Sequence, residues 1–329
     1  MARLLLIDEG TMLDKYLLEA LDRTLRDLMR ASDKPFGGKV IIIAGDFRQC
    51  IPVVKGAQRP AIIKHAINKS HLWKLFKILE LSVNMRVRAS GDPDLEAFDK
   101  WTLSIGNGEK ERLRIPGNMV ATQINADSKN NLQGKSMEEF CDKIFPHIED
   151  NISDRNWITG RVILAATNKE VQMLNDVICS KLPGSNTVLR SSDEIGNTQD
   201  QFRFNTEYLN SLLPNGFPPH ELNLKPGMPL MLLRNLSPKQ GLCNGTKLIF
   251  EKALDNKLLL CKVSDSDNTV LIPRITFIPK PGDFGMEWSR RQFPVKPGFS
   301  MTFNKSQGNI QVSLIVLLLD SNKFFQDKL

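Results

Sequence analysis

The sequence predicts an α/β protein with two parallel-sheet units and a small antiparallel β module inserted in the second. Three observations predict it. Residues 4–7 and 40–44 are unbroken apolar runs with a long amphipathic stretch between them, the strand–helix–strand order of a parallel sheet. Residues 162–166 start that order again. From 205 to 290, proline and glycine become frequent and short apolar runs alternate with turn residues, as in a compact β module.

The elements follow in order. No polar residue interrupts residues 4–7, so a strand covered on both faces is expected. Thr11 and Asp14 resemble a helix-capping pair. Leu13, Leu17, Leu21, Leu25 and Leu28 recur every three or four residues and form one face of a helix, which Pro35 and Gly37-Gly38 end. Residues 40–44 make a second strand closing on Gly45-Asp46. The pattern predicts a helix over 61–78, a short strand over 78–81 and a helix over 93–105. Residues 106–157 are polar, with Asn130-Asn131 and Gly134 signalling loops. After the strand at 162–166 comes a helix at 169–181. In the β module, 230–233, 248–250, 258–263 and 270–272 are strands, with Asn244-Gly245 as a hairpin turn signal. Residues 300–307 suggest a loop and a helix start, and 312–319 one more strand.

A length of 329 residues suits two domains and a small third. Hydrophobic content of 41% and charged content of 25% are ordinary for a soluble globular protein. The net charge of +7 is a mild excess compatible with a polyanionic partner. Five cysteines are scattered without a C-x-x-C pair, and the four histidines complete no zinc spacing. Free, mostly buried thiols in a reducing compartment are expected. Residues 314–319 are too short a run to span a bilayer, and the opening residues do not resemble a secretory leader.

Four segments carry chemistry. Asp8-Glu9 ends a strand, and adjacent acids there can hold a Mg²⁺ shell and polarise an attacking water. Residues 37–49 end a strand in Gly45-Asp46 and continue to Gln49, whose neutral amide can sense a terminal phosphate. Residues 81–86 place Arg86 after a short apolar segment, where it could reach transition-state charge. Residues 300–308 gather hydroxyls, an amide and Lys305 at a loop–helix junction, a surface suited to phosphates. Singly, each also fits a bland reading as a strand end, a solvated turn, a surface arginine or a polar helix cap.

The ordered text LLLIDEGTM, GGKVIIIAGDFRQCIPVV, LELSVNMR and MTFNKSQG resembles the petite-integration-frequency (Pif-type) DNA helicases, a RecD-like branch of superfamily one. The wording is closest to the Helitron-associated members. MLLRNL at 231–236, GLCNGT at 241–246 and RRQFPV at 290–295 support it, so the resemblance runs from Leu4 to about Gln311. It implies two RecA-like P-loop NTPase domains with an SH3-like insertion of the 2B type. The implied boundaries are 1–90 for the first domain, 91–204 with 293–329 for the second, and 205–292 for the insertion. It further implies Asp8 and Glu9 as Walker B acids, with Asp8 on the metal and Glu9 as catalytic base. Asp46 and Gln49 become the γ-phosphate sensor, Arg86 an arginine finger, and Lys305 and Gln307 nucleotide contacts. Thr302, Lys305, Ser306, Arg290 and Arg291 become DNA contacts. The family function is Mg²⁺-dependent ATP hydrolysis coupled to 5′-to-3′ movement on single-stranded DNA and unwinding of forked duplexes. A nuclear (or mitochondrial) monomer without membrane attachment is expected.

The chain also departs from that pattern. Three residues precede Leu4, so the strand and glycine-rich phosphate loop that usually come first are expected to be missing. Gly134-Lys135-Ser136 is the nearest textual match, but Lys129 stands where a glycine is required. The family's final arginine motif has no counterpart after Gln311, Gly10 replaces a usual alanine, and Pro297-Gly298 replaces an apolar or basic pair. The first domain is thus expected to be truncated at its start and the second at its end. The alternative to an active motor is a catalytically inactive remnant that at most binds single-stranded DNA.

Overall fold

The structure is a computed structural model that describes residues 3–49, 52, 54, 56–109, 134–196, 203–264, 266, 268–280, 284–306 and 314–317. These form two compact units, one within Met1–Gly117 and one within Asn118–Gln326. The sequence reading puts a boundary at 90/91, whereas the first compact unit runs on past it.

In the first unit, β1 (Leu4–Ile7) and β2 (Val40–Ile43) pair in parallel, from Leu4↔Val40 to Ile7↔Ile43. Helix α1 (Lys15–Leu28) connects them. Its cap is Asp14 alone, whose carboxylate accepts from Tyr16 N at 2.9 Å; Thr11 lies in a preceding 3-10 turn and does not cap. The carboxylate also bonds His65 Nδ1 at 2.6 Å. Burial pushes the Asp14 carboxyl up, but the Tyr16 N–H and His65 outweigh it and hold the group below its ordinary value. Leu18 and Leu25 pack with Ile41, Ile43, Phe36, Leu72 and Phe76. Buried Asp22 accepts from Phe36 N at 2.6 Å and Arg26 Nε at 2.8 Å, fixing the turn that returns the chain to β2. That turn needs Gly37: its φ is +61°, and a Cβ there would lie 2.4 Å from the Leu25 carbonyl oxygen.

The β1–β2 pair is covered on one face only; Leu4, Leu6, Val40 and Ile42 on the other are 51%, 67%, 60% and 47% exposed. The helix expected over 61–78 is broken into α2 (Arg59–His65) and 3-10 turns at Ile67–Lys69 and His71–Leu75. Ala66 and Ser70 take extended backbone between them, and Ser70 caps the last turn, accepting from Leu72 N at 3.3 Å. This kinked path lets Ile67 and Leu72 both bury, at 1% and 2% exposure. No strand forms at 78–81, where Ile78, Leu79 and Leu81 stay exposed without a pairing partner among the described residues. Helices α3 (Met85–Ser90) and α4 (Pro93–Gly106) follow.

The first elements described in the second unit are α5 (Gly134–Ile144), α6 (Ile148–Asn151) and α7 (Arg155–Thr159), helices in a polar stretch whose residues signal loops. Met137, Phe140, Cys141 and Ile144 keep helical spacing and all bury in the main core. Next come β3 (Arg161–Ala165) and α8 (Asn168–Lys181), joined by a capping box between Thr167 and Glu170. Then follow β4 (Thr187–Arg190), β5 (Ser192–Ile195), the helix Thr206–Ser211, β6 (Glu221–Leu224), β7 (Pro229–Leu232), β8 (Lys247–Leu254), β9 (Leu258–Val263), β10 (Thr269–Pro273), β11 (Ile275–Phe277), β12 (Trp288–Gln292), β13 (Val295–Pro297), β14 (Ser300–Thr302), the helical turn Phe303–Ser306 and β15 (Leu314–Leu317).

Strand β3 lies between β14 and β15 with both pairings parallel, which gives the second α/β unit its sheet. The antiparallel sheet has the order β10-β9-β8-β7-β13, and a smaller one the order β11-β12-β5. Asn244-Gly245 forms the turn its sequence signals, closed by Thr246 N donating to Cys243 O at 3.0 Å with Gly245 at φ 95°, and a second tight turn joins β8 to β9. Asp255 and Asn256 take positive φ of 45° and 53°, the backbone of a type I′ turn. Strand alternation leaves Arg291 exposed and drives Arg290 into the interior. Arg290 and Asp193 form an ion pair at 2.6 Å with both side chains at 0% exposure. The remaining guanidinium donors reach the carbonyls of Leu209, Leu212 and Pro218 at 2.8, 2.8 and 3.2 Å. No described helix is long and apolar enough to cross a membrane.

Candidate functional site

In the first unit, parallel pairing in register brings the ends of β1 and β2 side by side. Ala44 N donates to Ile7 O and Gly10 N to Ala44 O, both at 2.8 Å, and Thr11 Oγ1 reaches Asp46 O at 3.3 Å. Asp8-Glu9 and Gly45–Gln49, thirty-odd residues apart in sequence, therefore share one edge. Asp8 is exposed, and one of its oxygens accepts from Glu9 N at 2.9 Å. Its other oxygen has no partner among the described residues, so it offers the single carboxylate contact a hydrated Mg²⁺ commonly takes. Glu9 has φ 51°, ψ 35°, a left-handed backbone uncommon outside glycine and frequent at functional turns. Gly10 is buried against β2: a Cβ there would lie 2.2 Å from Ile43 Cγ2.

Asp46 is half-buried and already engaged. Arg48 donates to Asp46 Oδ1 from its backbone N at 3.0 Å and from Nε at 2.9 Å, while Gln49 N reaches Asp46 O at 3.1 Å. Burial pushes the Asp46 carboxyl up, but the hydrogen bonds and charge of Arg48, with help from Gln49, hold it below its ordinary value. Arg48 is raised in turn, first by its bond to Asp46. Its side chain is bounded by Gly106 at the end of α4, where a Cβ would come within 3.1 Å of Arg48 Cδ. Sequence reasoning passed over Arg48; its only signal was its place between Asp46 and Gln49. Gln49 is exposed at the same edge. Arg86 lies in α3, and its side chain is outside the described residues.

In the second unit, Thr302 ends β14, and Lys305 and Ser306 lie in the turn that follows, where Ser306 Oγ donates to Phe303 O at 2.6 Å. Ser300, wholly buried, donates through Oγ to Val171 O at 2.9 Å and through its backbone N–H to Asn175 Oδ1 at 3.0 Å, anchoring the strand to α8. Lys305 is half-buried; burial, and then Arg234, lower its ammonium below the ordinary value. Gln307 is outside the described residues. Arg290 does not fit its expected role as a DNA contact, since it is fully enclosed and held by Asp193 and three carbonyls. Arg291 is exposed on the opposite face of β12.

A family model described as PIF1-like helicase matches residues 1–114, and one described as DNA helicase Pif1, 2B domain, matches residues 207–252. The chain belongs to the Pif1 helicase family. The ATP-dependent DNA helicase PIF1 of Saccharomyces cerevisiae is 30% identical over 232 residues, which is 70% of this chain and 22% of that protein. The human ATP-dependent DNA helicase PIF1 is 26% identical over 312 residues, 92% of this chain and 40% of that protein. This Pif1-family chain thus spans less than half the length of these curated relatives. Among solved structures, the Pif1 helicase from Candida albicans superposes with a TM-score of 0.63 at 23% identity, covering 99% of this chain and 69% of that one. A Bacteroides Pif1 helicase in complex with ADP-AlF3 and single-stranded DNA gives 0.59 at 18% identity, covering 97% and 65%. These likenesses establish the fold as the α/β architecture of Pif1 helicases.

Proposed function

We propose that this chain is part of a Pif1-type motor in which ATP hydrolysis drives 5′-to-3′ movement along single-stranded DNA and opens forked duplexes. The observation that carries the reading is the shared edge of β1 and β2, which sets Asp8-Glu9 beside Asp46 and Gln49. Asp8 would hold Mg²⁺, which supplies charge neutralisation at the transferred phosphate. Glu9, turned by its left-handed backbone, would accept a proton from the attacking water. Asp46 would keep Arg48 and Gln49 in place, leaving the Gln49 amide to register the γ-phosphate. Arg86, Lys305 and Gln307 would contact nucleotide, and Thr302, Lys305, Ser306 and Arg291 the DNA strand. The family supports a monomeric nuclear or mitochondrial enzyme.

The 329 residues contain no G-x-x-x-x-G-K-[ST] sequence, and a phosphate loop is what holds the β- and γ-phosphates in such sites. The second reading, a DNA-binding unit without turnover of its own, rests on that fact. The test is direct. The 329-residue polypeptide should bind oligothymidylate in a salt-sensitive way and show no ATP turnover. Fused behind the strand, phosphate loop and helix of a relative, it should hydrolyse ATP when DNA is added. Glu9→Gln should abolish that turnover and leave DNA binding intact. A fusion that binds DNA yet hydrolyses ATP equally well with Glu9→Gln would refute the motor reading.

A further inference from the structure

Three lysines converge on a cavity of the first unit that the motor reading leaves unused. The cavity has a volume of about 270 Å³ and is lined by Lys15, Tyr16, Ala61, Lys64, His65 and Lys69. Its walls are the start of α1 and the end of α2 with the turn that follows. An isolated β-bridge between Asp14 and Ala66 ties these walls together. Two of the lining rings are held in place. Asp14 bonds His65 Nδ1 at 2.6 Å, and Tyr16 meets the His65 ring edge-on, with centroids 5.3 Å apart. Lys15 lies over Tyr16, its Nζ 4.9 Å from the ring centre. Among the described residues, no acid forms an ion pair with Lys15, Lys64 or Lys69. The acids that α1 turns toward this segment are committed elsewhere. Asp14 serves His65 and the Tyr16 N–H, and Glu19 serves Ser70 Oγ at 2.8 Å and His71 Nδ1 at 3.3 Å. Asp8, Glu9, Asp46 and Gln49 do not line the cavity.

We propose that this cavity is a binding site for a small phosphomonoester dianion. Three ammonium groups against one carboxylate that is already satisfied leave it positive. Each lysine can meet a phosphate oxygen as a point charge, and the Tyr16 hydroxyl can donate beside them. An anion carrying two charges gains more from three cations than a single carboxylate does. Ala61 and the Tyr16 ring add an apolar wall against which the carbon side of an ester can rest. Size narrows the occupant further. Drug-sized ligands fill about 300–1,000 Å³, so a cavity just below that range suits one phosphate group with a short organic remainder, not a triphosphate. The site shares no lining residue with the β1–β2 edge and stands whether or not the chain hydrolyses ATP.

The experiment uses the 329-residue chain and follows the ring resonances of its four histidines by NMR. At ionic strength held constant with chloride, inorganic phosphate should shift His65 saturably and leave His147 and His220 unmoved. Lys64→Met with Lys69→Met should weaken phosphate binding about tenfold, the worth of two exposed charge contacts. Both lysines are exposed, so the fold should tolerate their loss. Lys64→Arg with Lys69→Arg should bind like the wild type, as should Lys239→Met, an exposed lysine of the second unit. Adenosine monophosphate should compete with inorganic phosphate. A His65 shift that chloride reproduces, or an unchanged phosphate affinity in Lys64→Met with Lys69→Met, would overturn the site. Phosphate binding that adenosine monophosphate does not displace would overturn the assignment to esters and leave free phosphate as the ligand. Displacement of phosphate by unphosphorylated oligothymidylate, with weaker oligothymidylate binding in Lys64→Met with Lys69→Met, would make the lysines a strand contact and overturn the small-anion site.

Discussion

Single residues decide how this chain is held. At Gly10, the missing Cβ would sit 2.2 Å from Ile43 Cγ2, so Gly10→Ala should destabilise the first unit by about 1–3 kcal/mol through overpacking. Trimming the facing residue in Gly10→Ala with Ile43→Val should recover part of the loss, and urea titration of the four proteins would measure the coupling. Arg290 tests the opposite case. Arg290→Ala should cost about 3–5 kcal/mol because it strands the Asp193 carboxylate in the interior, whereas Arg290→Met with Asp193→Leu should cost less. A double variant as unstable as Arg290→Ala would show that the arginine matters for its carbonyl bonds instead. Lys296 adds a pH dependence. Burial first, and then cationic Lys305, bring its folded value to about 8 against 10.5 unfolded, so the unfolded chain binds more protons in between. Stability of the second unit should therefore rise from about pH 8 to about pH 10.5, and be lowest below pH 8. Lys296→Met should lack that rise and close the gap with the wild type as pH increases, which urea midpoints across this range would reveal.

At the scale of elements, runs with one strong period were legible and interrupted ones were not. Strands β1, β2, β3 and β7 to β10 and helices α1, α4 and α8 follow from apolar periodicity alone. The stretch 59–75 carries a helical pattern, but burying Ile67 and Leu72 together outweighs continuous helix, and extended Ala66 and Ser70 divide it. Helix α5 was hidden among polar neighbours although Met137, Phe140, Cys141 and Ile144 spell its buried face. In the site, Asp8, Glu9, Asp46 and Gln49 were legible because they follow strand ends, where parallel pairing must collect them. Arg290 was misplaced because alternation along β12, not charge, decides which of two adjacent arginines is buried. The β8–β9 turn shows the same dependence on backbone. Asn256 has φ 53°, so Asn256→Val should destabilise by about 1–2 kcal/mol, the left-handed penalty, while Asn256→Gly should be neutral or stabilising in thermal melts.

Across the whole molecule, the two units differ in what holds them. The first has a small buried cluster of Leu18, Phe36 and Leu72, and leaves one face of β1–β2 and the apolar residues of 78–85 in solvent. The second gathers a far larger core across three of its sheets and several helices. The first should therefore unfold at lower denaturant than the second. Single-tryptophan variants retaining Trp73 or Trp157 would report each transition separately, and coincident curves would contradict this. The cysteines bear on the same point. Cys141, Cys179 and Cys261 all lie in the second unit, and burial pushes their thiols up to about 12. A thiol protonated and walled off in this way reacts with iodoacetamide only when its surroundings open. Alkylation rates at these positions, read by mass spectrometry, would thus act as three clocks distributed through one core, timing how often each part of it breathes.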